Sequence, residues 1–257
     1  MVFDMDVFSS VVAPTGTFMK VALIIPAYNE QNRIGKTLES YHAFFNQGIT
    51  YRIHFIIVLN GCTDNTLAIV KEKQQKYPNI HIVDIPDAGK GLAIKTGFSH
   101  ALQHDYDLIG FGDADMATKP EYFYELFKNI TDYDGIIASR YMKESKVFPQ
   151  RPPIKEWGRR LVYQPLVRLL FGLRFADYQC GAKLFKRHVI ETIVQYLSVR
   201  QWAFDVELLY LCKKYGFAIK EQPTVWYDQA DSKLKIRSAG LPMLSNLFRI
   251  RWHHLGR

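Results

Sequence analysis

Three cysteines in 257 residues are too few and too scattered to frame a fold. Cys62, Cys180 and Cys212 offer neither a disulfide framework nor the paired spacing of a zinc site, and a reducing, cytoplasmic setting is expected. No apolar run reaches the ~18 residues that cross a bilayer, so membrane contact is expected to be peripheral. The Gly-x4-Gly-Lys-Ser/Thr spacing of a P-loop is absent, as is a Ser nucleophile elbow. Repeats and low-complexity stretches are lacking too. Acidic side chains are missing altogether from residues 233–257.

What is present is globular. Apolar residues make up 48% and charged residues 23%, with 17 Phe and 15 Tyr, which excludes disorder, collagen and coiled coil. The length suits one large domain. Net charge is +8, from 33 basic and 25 acidic side chains. It is unevenly placed. Residues 1–139 carry −5 and residues 188–232 carry −2, whereas residues 140–187 carry +9 and residues 233–257 carry +6. Two basic blocks therefore flank an acidic body and invite an anionic partner.

Periodicity places the elements. Lys20–Pro26, Arg52–Leu59, Ile80–Ile85, Leu108–Gly112 and Gly135–Ser139 read as short apolar strands. Helical spacing covers Glu30–Asn46, Asp64–Tyr77 with Asp64 as cap, Gly91–His104 and Pro120–Ile130. Alternation of nearly continuous apolar strands with helices predicts an α/β fold, a mostly parallel sheet covered on both faces. Later, residues 143–155 read as a basic loop, and Lys155–Phe171 as a helix kinked at Pro165. Lys183–Lys186 and Thr224–Tyr227 read as strands, Arg187–Leu197 and Phe204–Tyr215 as helices. Residues 1–19, which open with acids rather than a basic stretch, are expected to be a loose leader. Residues 20–235 form the domain. Residues 236–257 form a basic amphipathic helix, either part of that domain or a membrane-surface contact.

Ligands of such sheets bind beyond the carboxyl ends of the strands, so the strand exits matter most. The first carries Pro26-Ala27-Tyr28-Asn29-Glu30, which could equally be an ordinary capped turn. The second carries Asn60-Gly61-Cys62, with an amide able to read a base edge. The third carries Gly89-Lys90-Gly91, where free N–H groups and an ammonium can meet a phosphate. The fourth carries Asp113-Ala114-Asp115. Two hard oxygen ligands one residue apart suit Mg²⁺ or Mn²⁺ bearing a diphosphate. Cys62 and Cys180 have no His nearby in sequence and read as small buried hydrophobes. His253-His254 lacks metal-ligand context and reads as an exposed pair.

Taken in order, IPAYNE, NGCTDNT, GKGLAIKTGF and DAD resemble the inverting family 2 nucleotide-sugar glycosyltransferases of GT-A fold, a Rossmann-like nucleotide-binding architecture. The blocks DYQCGAKLF (177–185) and QWAFDVELLY (201–210) are similar to those of polyprenyl-phosphate glycosyltransferases, most of all the dolichyl-phosphate β-glucosyltransferase type. The likeness runs from about residue 20 to 235. It implies that Pro26, Tyr28 and Glu30 surround the nucleoside, that Asn60 and Asp113 contact base or ribose, and that Lys90 lies in the nucleotide crevice. Asp113 and Asp115 would hold the cation, and Gln179 would approach the donor sugar. Asp205 stands where relatives with hydroxyl acceptors carry a base. A lipid phosphate is already anionic and needs positioning more than deprotonation. Arg140 and Arg151 match positions where relatives gather arginines for an acceptor phosphate.

Two departures bear on the donor. The usual Asp-Asp-Gly-Ser after strand 2 is Leu59-Asn60-Gly61-Cys62, which leaves UDP and GDP open. Ala117 stands two residues after Asp115, as in the glucosyl type. The expected activity is metal-dependent, inverting transfer of a hexose, from UDP-glucose by preference, to a polyprenyl or dolichyl phosphate at the cytoplasmic membrane face. A soluble acceptor, possibly with a GDP-sugar, is the alternative. A nucleic-acid partner is not expected, because a carboxylate pair in the crevice repels a polyanion and no nucleic-acid motif is present.

Overall fold

The computed structural model describes residues 18–47, 51–150, 157–228 and 236–255. Most of the expected leader and all of Arg151 lie outside the described residues.

β1 (Met19–Ala27) is the hub of the sheet. Its side chains alternate between two cores. Val21, Leu23 and Ile25 pack on one face with Phe55 and Ile57, while Ala22 and Ile24 pack on the other with Ile56 and Val58. A strand apolar on both faces must be covered on both, and helices supply the cover. β2 (Tyr51–Asn60), β3 (Ile80–Ile85) and β4 (Leu108–Phe111) run parallel to β1 or to each other's neighbours. α1 (Ile34–Phe45) buries Ile34, Leu38, Tyr41 and Phe45, the face its spacing predicts, together with Thr37. α2 (Thr66–Lys76) has Asn65 at its N-cap rather than the expected Asp64, whose Oδ1 accepts from the Thr66 N–H at 3.0 Å just ahead of the helix. α3 (Lys90–Ala101), α4 (Pro120–Asn129) and β5 (Gly135–Ser139) complete the first half.

The second half departs from simple alternation. With β7 (Lys183–Lys186) and β8 (Ile219–Pro223), the sheet has seven strands in the order β3-β2-β1-β4-β7-β5-β8. β7 slots between β4 and β5 and is antiparallel to both. β8 adds an edge strand that the apolar pattern does not announce, and all five of its residues are half-buried. The loop expected over 143–155 contains a short strand, β6 (Lys146–Phe148), which pairs with β9 (Val225–Tyr227) in a separate two-stranded sheet.

The helix expected over Lys155–Phe171 carries a π-turn over Arg159–Tyr163 before α5 (Gln164–Phe171), just ahead of Pro165. A wider turn is one way to house a ring that cannot donate back into the helix. α6 (Arg187–Ile193) and α7 (Phe204–Lys214) pack on the sheet face that carries Ala22 and Ile24.

α8 (Ile236–His253) docks on this body through Leu247 and Ile250, both fully buried. Its far end is pinned where His254 Nε2 meets Glu207 Oε1 of α7 at 2.9 Å, so His254 is a buried anchor rather than half of an exposed pair. α8 lies against α5. The π-turn, α5 and α8 leave Leu161, Val162, Leu169, Phe248 and Trp252 exposed, the last at 81%, together with the exposed Arg160, Arg168 and Arg249. Among the described residues no helix is long and apolar enough to cross a membrane.

Candidate active site

Four parallel strands end along one rim, and the predicted residues follow them. β4 hands Gly112 to a hydrogen bond with the Ile24 carbonyl, which turns Asp113 and Asp115 out over the rim. Because β7 is antiparallel, the segment preceding it comes back to the same place. Phe111 pairs with Lys183, so Gly181 lies directly against Asp113. A β-carbon at Gly181 would run into the Asp113 carboxylate, and any other residue there would displace it.

The polar groups form a chain of alternating charge. Lys90 Nζ donates to Asp113 Oδ1 at 2.7 Å. Burial works against the Lys90 ammonium, but the carboxylates of Asp113, Asp205 and Asp115 outweigh it and hold its pKa above the usual lysine value. Burial also opposes the Asp113 anion, yet Lys90 and, further off, Lys183 keep its pKa below the ordinary range. At Asp115 the pull of Arg33 and Lys90 is the weaker influence. Burial and the neighbouring Asp113 charge push it up to about 6. Deeper in, the fully buried Lys183 ammonium reaches Asp205 Oδ1 and the Cys180 carbonyl, both at 2.5 Å.

Other predicted residues are brought to the rim but are already engaged. Asn60 is buried. With its amide oriented to satisfy both ends, Nδ2 donates to the Ala27 carbonyl at 2.8 Å and Oδ1 accepts from the Gly89 N–H at 3.1 Å. It ties the first exit to the third. At the start of α3 the Leu92 N–H is taken by the Arg200 carbonyl at 3.1 Å, and the Lys90 ammonium is an anion-seeking group beside that turn. Gly91 allows this approach, since a β-carbon there would meet the Val199 carbonyl. Tyr28 is exposed and Pro26 half-buried at the mouth of the crevice. The Gln179 N–H donates to Asp177 Oδ1 at 3.0 Å.

Arg140 is buried. Its Nε and Nη2 fork onto Asp177 at 2.7 and 2.9 Å, and its guanidinium stacks 4.8 Å from the Trp226 ring centroid. Burial raises the Asp177 carboxyl, but Arg140 overrides it and holds the group down at about 2. Glu221 of β8 accepts from the Ala176 and Asp177 N–H groups and fixes the same loop. The fork of Arg140 thus holds the DYQCG loop in place.

Sequence reading passed over three contributors. Arg33 grips Glu30 through two hydrogen bonds of 2.7 and 2.6 Å. Trp202 lies with its ring centroid 5.7 Å from Lys90 Nζ. Lys183 was visible as a lone cation inside the apolar run Ala182–Phe185, a position that demands a buried partner.

A crevice with paired carboxylates and a lysine at the strand exits of such a sheet defines a nucleotide-sugar transferase in outline. The comparisons state the class: the Glycosyl transferase family 2 profile matches residues 22–194, and the chain belongs to that family of hexosyl-transferring enzymes. Within it, the chain is 31% identical over 240 residues to a dolichyl-phosphate beta-glucosyltransferase of Trichomonas vaginalis, covering 89% of this chain and 69% of that protein. It is 32% identical over 260 residues to the dolichyl-phosphate beta-glucosyltransferase of Saccharomyces cerevisiae, covering 91% and 75%. Among solved structures, glucosyl-3-phosphoglycerate synthase from Mycobacterium tuberculosis, in complex with Mn²⁺, UDP and phosphoglyceric acid, superposes with a TM-score of 0.65 at 16% identity, covering 90% of this chain and 77% of that one. That likeness bears out the GT-A fold.

Proposed function

We propose that the protein transfers glucose from UDP-glucose to a polyprenyl or dolichyl phosphate, with a divalent cation at Asp113 and Asp115. The observation that carries this reading is the likeness to dolichyl-phosphate glucosyltransferases along nine-tenths of the chain, joined to a carboxylate pair at the nucleotide rim. The donor set fits Mg²⁺ or Mn²⁺. Asp113 and Asp115 supply hard oxygens, and no third His, Cys, Asp or Glu converges with them among the described residues. The other positions would fall to donor phosphates and water, as is usual for these ions. When bound, the cation offsets charge on the departing nucleoside diphosphate.

The chain's own residues do the rest. Lys90 stands beside the carboxylates as the protein's cation for the diphosphate. The acceptor phosphate oxygen attacks the anomeric carbon as the bond to the diphosphate breaks, inverting an α-linked donor to a β-linked product. No proton need leave the acceptor, and Asp205, paired with Lys183, is spent on structure. Pro26, Tyr28 and Glu30 frame the nucleoside, and Gln179 faces the sugar. Arg140 shapes the acceptor side through the loop it holds, with Arg151 nearby in sequence.

The exposed surface of the π-turn, α5 and α8 suits a membrane interface. Apolar and arginine side chains share it, and neither α8 nor the described span 157–171 carries an acid. Purified protein given UDP-glucose, Mg²⁺ and a short polyprenyl phosphate should yield an acid-labile glycosyl lipid. Absence of product across a panel of sugar nucleotides refutes the activity. Failure to co-sediment with anionic vesicles refutes the membrane surface and points to a soluble acceptor.

A further inference from the structure

We infer that Arg33 is a positioning residue that aims Asp115 at the divalent cation, an inference that rests on the metal reading above. Arg33 uses Nε and Nη2 to fork onto Glu30. Its third nitrogen, Nη1, is buried and has no hydrogen-bond partner. A buried, charged N–H without a partner is costly and uncommon. This one stands 3.8 Å from Asp115 Oδ2, within ion-pair range and just beyond hydrogen-bond range. The other oxygen of Asp115, Oδ1, accepts from the Ala117 N–H at 3.1 Å.

Asp115 is therefore bracketed by a backbone donor on one oxygen and a guanidinium facing the other. Arg33 is itself held from behind. The Glu30 N–H donates to Thr66 Oγ1 at 2.7 Å, and Thr66 Oγ1 donates to Asp64 Oδ1 at 2.5 Å. Asp64, Thr66, Glu30 and Arg33 thus form a relay from the start of α2 to the carboxylate at the exit of β4. Because Nη1 is closed to solvent, it reaches a ligand only through Asp115. Closing the gap by under an ångström would complete a charge-assisted hydrogen bond and fix the carboxylate plane. Glu30 in this account acts on the site through Arg33.

Charge and position predict opposite outcomes, which makes the inference testable. Removing a cation beside Asp115 should, by Coulomb attraction alone, tighten binding of Mn²⁺. Removing a residue that orients a metal ligand should weaken it by about 10-fold or more. Mn²⁺ affinity is to be read by electron paramagnetic resonance with saturating UDP, on wild type, Arg33→Gln, Arg33→Lys and Glu30→Gln. We expect all three variants to bind Mn²⁺ at least about 10-fold more weakly than wild type. Arg33→Lys should be no better than Arg33→Gln, since it keeps the charge and loses the fork. UDP affinity measured without metal should not change in Arg33→Gln.

Equal or tighter Mn²⁺ binding in Arg33→Gln overturns the inference. So does a matching loss of metal-free UDP affinity, which would make Arg33 a direct nucleotide contact. Should Arg33→Gln fail to fold, Arg33→Lys retains the buried charge and carries the same comparison. A wild type that binds no Mn²⁺ would instead refute the metal reading itself, a result distinct from variants that match a metal-binding wild type.

Discussion

Asp205→Asn tests whether Asp205 serves the fold or the chemistry. Its carboxylate lies 2.5 Å from the ammonium of Lys183, and both side chains are almost wholly removed from water. Removing one partner of such a pair strands the other, which costs about 3–5 kcal/mol. Lys183 keeps the Cys180 carbonyl, so the low end, about 3 kcal/mol, is expected. In a chain of this size each kcal/mol moves the melting temperature by roughly 2–4 °C, so the transition should fall by roughly 6–12 °C. Differential scanning fluorimetry reads the shift, and turnover is measured well below the new transition. A general base contributes ~10²–10⁴ in rate. A purely structural Asp205 should leave folded Asp205→Asn within about tenfold of wild type. Pairing Asp205→Leu with Lys183→Met should recover much of the lost stability, because no charge is then stranded. An unchanged melt with turnover reduced by 10²-fold or more would overturn the reasoning and make Asp205 a base.

Three further outcomes follow from other contacts. Gly181→Ala should abolish UDP binding in calorimetry while leaving the far-ultraviolet circular dichroism unchanged, because its β-carbon occupies the place of the Asp113 carboxylate; wild-type UDP affinity would contradict that. At the opposite rim, His54 Nδ1 and His81 Nε2 are 3.0 Å apart with Tyr106, His104, Arg52 and Lys20 close by. Burial first, and neighbouring positive charge second, lower the pKa of His54 and His81. The unfolded chain therefore binds more protons than the native one as pH falls through about 6.5, and stability should drop from there until the lowered native pKa values are passed. Asp115, raised in the folded chain, works the other way in this window, so the comparison is between proteins: the change in melting temperature from pH 7 to 5 should be less unfavourable in His81→Asn than in wild type, and identical pH dependence refutes it. His254→Ala removes the buried bond to Glu207 at the end of α8, about 1–3 kcal/mol, and should lower the melting temperature by several degrees.

The legibility of the fold tracked burial. β1, β2 and β5 are buried on both faces and read as apolar runs. β8 reads Ile-Lys-Glu-Gln-Pro because it is an edge strand, half in water, and its glutamate is kept for a loop rather than a core. The insertion of β7 between β4 and β5 is set by pairing partners more than 70 residues away on β4 and more than 40 away on β5, and has no local signature. In the site, carboxylates and lysine at strand exits were readable because polar residues there break an apolar pattern. Arg33 was not, since Glu30 and Arg33 at i, i+3 look like any surface helix pair. Arg140 was picked out by the resemblance, but the sequence could not show that Asp177, 37 residues on, already claims it.

The antiparallel placement of β7 also bears on how such a chain can change over generations. The excursion that leaves the sheet after Ser139 returns at Ala182, and the Ala138 N–H donates to the Ala182 carbonyl at 2.9 Å. Its two ends are thus neighbours, as they are in segments that tolerate exchange or lengthening. Exchange of the segment 140–182 would have to keep Gly181, the Arg140–Asp177 clasp, the β6–β9 pairing, the contact of α5 with α8 and the Glu221 bonds to the loop. The carboxylates and lysine of the nucleotide rim precede that segment. A chimera exchanged at these ends would keep the carboxylates and lysine of the nucleotide rim from one parent.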